Sequence, residues 1–223
     1  MTESNIAQRC LAIDLEVGRE TGRIHHLAAI RGDKSDKPFL YSGGNLDVAL
    51  RQLDEFAEGA EFLLGHNLIS FDLPQLRAVA PDLRLLALPA IDTLRLSPLA
   101  FPRNPYHRLV KHYKDGSLLR FRLNDPELDA RICLQLLTEE EDALGLLNED
   151  APILLAAWHW LTLTRTEDAG FARFFAQVRG APRPTETEGH VAVSQCLGGL
   201  ACVTHSKEML EANSVPGWPM AYA

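Results

Sequence analysis

Asp14 and Glu16 stand two apart in Leu11-Ala12-Ile13-Asp14-Leu15-Glu16-Val17. Leu11, Ile13, Leu15 and Val17 alternate with Ala12, Asp14 and Glu16, a period of two that predicts a strand. Alternation puts both carboxylates on one face, with Cα atoms roughly 7 Å apart. Two like charges that close, on an otherwise apolar strand, repel each other. A divalent cation would relieve the repulsion, and carboxylate oxygens are what Mg²⁺ or Mn²⁺ prefers. The plainer alternative is a solvated strand face that is merely acidic, and the pair alone does not choose between the two.

Further carboxylates recur downstream. Asp72 sits in Gly65-His66-Asn67-Leu68-Ile69-Ser70-Phe71-Asp72-Leu73-Pro74, between a short apolar run and a helical one. On local grounds it reads as an N-cap, and His66 and Asn67 read as hydrogen-bonding residues that fix the loop. Asp125 followed by Pro126 is a helix start, which accounts for Asp125 without function. Asp129 is different. At about 100° per residue it falls inside the arc formed by Leu128, Ile132, Leu136, Cys133 and Leu137. A carboxylate there is costly unless paired with an arginine or bound to metal.

The elements that must position these side chains follow from periodicity. A hairpin through Gly18 and Gly22 leads to a strand over 23–31, and a third strand is expected over 38–42. Asn45 caps a helix carrying Leu46, Leu50, Leu53, Phe56 and Ala57. A short strand over 61–65, a helix over 73–80 and a strand over 87–93 come next. Helices are then expected over 107–113 and from Glu127 to Leu137, the latter extending toward Leu147. Strands first as a meander, then alternating with helices, predict an α/β fold with a mixed sheet. The acidic run at 138–142 marks a change of character, followed by helices over 151–164 and 167–179, a turn over 180–185 and a short helix after Ser206. The expected division is 1–147 and a smaller helical region over 148–223. The aromatics Trp218 and Tyr222 close to the last residue suggest part of a longer polypeptide.

Of the 223 residues, 46% are apolar and 23% charged, which fits a globular protein rather than a disordered or fibrous one. No signal-peptide core precedes Arg9, and the longest apolar stretch, 151–163, is too short to span a bilayer. Four cysteines without CxxC spacing suggest a reduced, cytoplasmic setting. A zinc site from Cys196, Cys202, His205 and His190 is disfavoured by the spacing. The net charge of −8 argues against broad attraction to nucleic acid, but Arg103, Arg108, Lys111, Lys114, Arg120 and Arg122 face only Asp115 within their segment. A basic segment on an acidic chain suggests a focused site for a polyanion, against the alternative of a solvated helix face.

Asp14-x-Glu16, then Gly65-His66-Asn67 with Phe71-Asp72-x-Pro74, then Ile91-Asp92-Thr93-Leu94, then Asp129-Ala130-Arg131 resembles the DEDD superfamily of 3′–5′ exonucleases over about residues 8–147. Thr21-Gly22-Arg23-Ile24-His25 and Asn104-Pro105-Tyr106-His107-Arg108-Leu109-Val110-Lys111 are similar to the exonuclease-like N-terminal domain of some bacterial RecQ-type helicases. The resemblance implies a ribonuclease H-like fold and hydrolysis of DNA, single-stranded or at 3′ ends, in repair or beside a helicase. It implies that Asp14, Glu16, Asp72 and Asp129 are catalytic and hold two Mg²⁺ or Mn²⁺ ions about 4 Å apart, with Asp14 bridging. Arg103, His107, Arg108, Lys111 and Asn67 are the expected nucleic-acid contacts. The family's general base, a histidine five residues or a tyrosine four residues before the last aspartate, is replaced by Asn124 or Asp125, so the base is unassigned. The alternative is a weak or inactive module that binds nucleic acid or a partner. No phosphate loop of the Gly-x-x-x-x-Gly-Lys-Ser/Thr type is present, so any helicase motor lies elsewhere.

Overall fold

In the computed structural model, residues 5–18, 20–107, 109, 125–162, 168–198 and 217–222 are described. The alternating segment forms strand β1 (Cys10–Val17), which turns through Gly18 and Gly22 into β2 (Ile24–Arg31) and on to β3 (Phe39–Ser42). Strands β4 (Phe62–Gly65) and β5 (Ala90–Asp92) complete a five-stranded sheet in the order β3-β2-β1-β4-β5. The β1–β2 and β2–β3 pairs are antiparallel, whereas β4 and β5 run parallel to β1. This is a mixed α/β sheet with helices on both faces.

Asn45 caps helix α1 (Leu46–Phe56) through the Val48 amide, and Leu50 and Leu53 of α1 are buried. Arg31, opposite Leu11 on β2, donates to the Glu58 carbonyl just beyond α1, so α1 covers the Leu11 face. The other face receives α4 (Pro126–Asp150), which packs on β1 and β2. Asp125 accepts from the Leu128 amide and Pro126 takes the first helical position, as expected for that helix start. Between α1 and α4 along the chain come α2 (Asp72–Val79) and α3 (Thr93–Ala100).

Beyond α4 the chain continues as α5 (Pro152–Leu161), α6 (Ala169–Arg179), α7 (Glu186–Leu197) and α8 (Gly217–Tyr222). The expected division at 147/148 falls inside α4. Phe171, Phe174 and Phe175 of α6 are buried in the same apolar cluster as Ile13, Leu63 and Ile91 of the sheet. Gly170 is what lets α6 approach: a Cβ there would lie 1.9 Å from the Ala90 carbonyl oxygen of β5. The two C-terminal aromatics are used within the fold. The Trp218 indole N–H donates to the buried Asp168, which also pairs with Arg95 of α3 at 3.2 Å, and the Tyr222 hydroxyl donates to the Arg95 carbonyl.

Some local expectations fail. The strand expected over 87–93 is only three residues long, preceded by a tight turn of helix at 84–87 and followed at once by α3. Pro98 inside α3 hides that helix from a periodicity argument. Helix α7 is not among the expected elements: its capping box, Thr185 with Glu188, starts on the last residue of the turn expected over 180–185. The helix expected after Ser206 lies outside the described residues, as does that over 107–113 apart from His107 and Leu109, neither of which is helical. Among the described residues no helix is long and apolar enough to cross a membrane.

Candidate functional site

Parallel strands β4 and β5 end level with each other, and β1 runs on past them to Val17. Ala12 pairs with Leu64 and Leu64 with Ile91, so Asp14, His66 and Asp92–Thr93 all emerge at the carboxyl ends, where open α/β sheets place ligands. Asp14 and Glu16 share one face of β1, as the alternation requires, and both are half-buried.

Asp72 reaches them from α2. It is not an N-cap. Phe71 holds the cap position without a side-chain bond, and Asp72 is the first helical residue. Its Oδ1 instead accepts from the Leu15 amide at 3.1 Å. Pairing of β1 with β4 ends at Ala12, so the Leu15 amide lies past its neighbouring strand, and Asp72 supplies the acceptor that β4 no longer offers. Asp72 is 2% exposed. Burial, then the negative charge of Asp14, push its carboxyl up to about 8, against the lowering effect of the Leu15 amide.

Asp129 joins from α4, buried as its place in the apolar arc predicted. Arg131, two residues on, pairs with Glu127 at 2.8 Å. Cys133 lies one turn beyond Asp129 with no exposed surface. Its thiol is pushed well up by burial and then by the charges of Asp14, Asp129, Asp72 and Asp92. The charges of carboxylates from β1, α4, α2 and β5 thus all act on this one buried thiol.

Asp92 explains how Asp72 is delivered. Its buried carboxylate accepts from the Asn67 amide (2.8 Å), the Ile69 amide (3.1 Å) and the Leu94 amide (3.1 Å). Burial raises its carboxyl and these three amides oppose the rise. Asn67 adopts a left-handed conformation with φ +67°, which asparagine tolerates better than most residues. The loop from β4 to α2 is thus tied to β5 before it reaches Asp72. His66 Nδ1 lies 2.9 Å from the Thr93 hydroxyl, and its ring also hydrogen-bonds the His107 carbonyl. Burial lowers the His66 imidazole to about 4, so it stays neutral at pH 7. His66 and Asn67 fix the loop, as their local reading proposed. Asp92 is not among the expected site residues; the signal for it in the sequence is an acid at the end of an apolar run followed directly by Thr93.

Of the expected nucleic-acid contacts, Arg103 is exposed and His107 is half-buried beside His66, while Arg108 and Lys111 lie outside the described residues. So does Asn124; Asp125 is spent as a helix cap. Of the four residues weighed for zinc, Cys202 and His205 lie outside the described residues, and His190 packs edge-on against Trp160.

The donor chemistry suits a hard dication, since Asp14, Glu16, Asp72 and Asp129 offer oxygen alone. As the side chains stand, no three His, Cys, Asp or Glu among the described residues are close enough together to hold one ion. Compared with protein-family models, with curated proteins and with solved structures, the chain matches none.

Proposed function

We propose that this protein is a metal-dependent 3′–5′ exonuclease with a ribonuclease H-like fold, hydrolysing phosphodiester bonds of DNA at Asp14, Glu16, Asp72 and Asp129. One observation carries the reading: the buried Asp72 carboxyl accepts from the amide of Leu15, the residue between Asp14 and Glu16, beyond the ends of the parallel strands β4 and β5. Burying the Asp72 and Asp129 carboxyls among other acids costs stability, and a cation-binding role explains why a fold would keep them there. Bound Mg²⁺ or Mn²⁺ would supply an activated water and stabilise the leaving 3′ oxygen.

The chain's own contribution is positioning. The Leu15 amide anchors Asp72, and the Asp92 triad of amides sets the loop that carries it. Leu15 itself lies between Asp14 and Glu16, so the three carboxylates are referenced to one stretch of backbone. The basic segment 103–122 would hold the strand.

A second reading keeps the fold and drops the turnover: a module that binds nucleic acid or a helicase partner. It is favoured by Asp125, whose carboxylate is committed to the Leu128 amide and is no general base. The two readings separate with purified protein, Mn²⁺ and a 5′-labelled oligonucleotide, single-stranded or 3′-recessed. Stepwise shortening from the 3′ end that disappears in Asp14→Ala supports the exonuclease. Shortening that persists in Asp14→Ala refutes it. Oligonucleotide binding without cleavage, and without an Asp14-dependent heat of Mn²⁺ binding, favours the module.

A further inference from the structure

Strand β2 is interior to the sheet, yet two of its residues, His25 and His26, are exposed between the buried Ile24 and Leu27. The ladder shows how. Glu16 pairs with His26 but Val17 pairs with Ile24, so His25 is an extra residue with no opposite number on β1. Such a bulge bends the strand and re-aims side chains. Adjacent residues of a regular strand point to opposite faces; here the two imidazoles meet edge-to-face with centroids 5.1 Å apart, so both project to the same side.

That side is the carboxylate side. Residues directly opposite in an antiparallel pair share a face, with Cβ atoms about 5 Å apart. His26 is opposite Glu16 on one flank and Ser42 of β3 on the other. Glu16, His26 and Ser42 form one polar row across three strands, beside the row that begins with Asp14. Ser42 is exposed, and the residue opposite Asp14 is the small Ala28. The row runs outward from the carboxylates to the edge of the sheet.

We infer that the His25–His26 pair, extended by Ser42, is a contact for the single-stranded nucleic acid next to the carboxylates: the imidazole faces stack on an unpaired base, and the imidazole N–H and the Ser42 hydroxyl donate to its phosphate. The inference rests on the nuclease or nucleic-acid-binding reading above. Stacking of a base on an aromatic ring is tolerant of sequence and contributes about 1–3 kcal/mol per base. Both histidines lie outside the four carboxylates, so they contribute binding rather than turnover.

The test is equilibrium binding of a fluorescein-labelled single-stranded oligonucleotide to the full chain, alongside cleavage in Mn²⁺. In H25A/H26A the dissociation constant rises about ten-fold and KM rises with little change in kcat, whereas H25F/H26F, which keeps the ring faces, recovers most of the affinity. The phenylalanine variant and a thermal melt of each protein guard against a merely unfolded alanine variant. If wild type binds and cleaves in an Asp14-dependent way while folded H25A/H26A binds equally well, the histidine contact is wrong and the nuclease reading stands. Affinity lost in both double variants although both melt as wild type also overturns the stacking contact. If wild type binds no oligonucleotide, the inference and the functional reading fail together.

Discussion

Asp72→Asn should make the dication-free protein more stable at neutral pH, although it removes a residue proposed to be essential. The folded chain holds the Asp72 carboxyl at about 8, against about 3.9 for an aspartate in an unfolded chain. Between those values the native state keeps a proton that the unfolded state releases, so this group's contribution to stability is fully present below about pH 4 and is lost as pH rises toward about 8. The loss runs at about 1.4 kcal/mol per pH unit, which reaches roughly 4 kcal/mol at pH 7. Asparagine is nearly isosteric with the protonated acid and its Oδ1 can still accept from the Leu15 amide, so the variant escapes the penalty and keeps the bond. For a chain of this size roughly 4 kcal/mol corresponds to a rise of about 10 °C in Tm. The assay is thermal or urea unfolding of both proteins in a chelator, from pH 4 to 8. The variant's advantage should be near zero at pH 4 and grow steadily to pH 8. Adding Mn²⁺ should then stabilise the wild type more than the variant, because a cation can offset the charge that the proton offset before. An advantage that stays flat across this range would refute the picture of Asp72 as an acid forced to keep its proton by burial and Asp14.

Two other perturbations probe the supports. Asp92→Ala should cost several kcal/mol in urea unfolding, because the amides of Asn67, Ile69 and Leu94 lose their acceptor and each orphaned buried donor costs about 1–3 kcal/mol; Asp92→Asn, which keeps one oxygen, should cost less, and an innocuous alanine would show that the loop is held by something else. Glu140→Gln should raise Tm by a few degrees at pH 8 and not at pH 4.5. Glu140 is fully buried on α4 with the Ser97 hydroxyl 2.6 Å from its Oε1, and burial raises its carboxyl well above the usual range, so the folded chain keeps a proton that the unfolded chain gives up and this group's contribution to stability falls as pH climbs above the unfolded value. Equal Tm shifts at the two pH values would contradict this.

What the sequence determined by itself was local. The two-residue alternation of 11–17 put Asp14 and Glu16 on one face of a strand, because side-chain direction in a strand depends only on parity. The placement of Asp129 in an apolar arc predicted its burial, because helical phase is equally local. Asn45 and Asp125 announced their helices through bonds to amides three residues on. The tertiary structure decided everything that depends on where two distant segments stop or slip relative to each other. Asp72 meets the Leu15 amide because β4 ends its pairing at Ala12, and no local pattern around Asp72 records that length. Asp92 gathers amides from the β4–α2 loop because β4 and β5 are parallel and level. His25 and His26 share a face with Glu16 through one extra residue in the β2 ladder, a shift of register that reverses the facing implied by alternation. Glu140 is buried because α3, interrupted in its pattern by Pro98, packs on α4. Periodicity is a property of one segment, whereas register and the ends of strands belong to pairs of segments, and the chemistry of this site lies in the pairs.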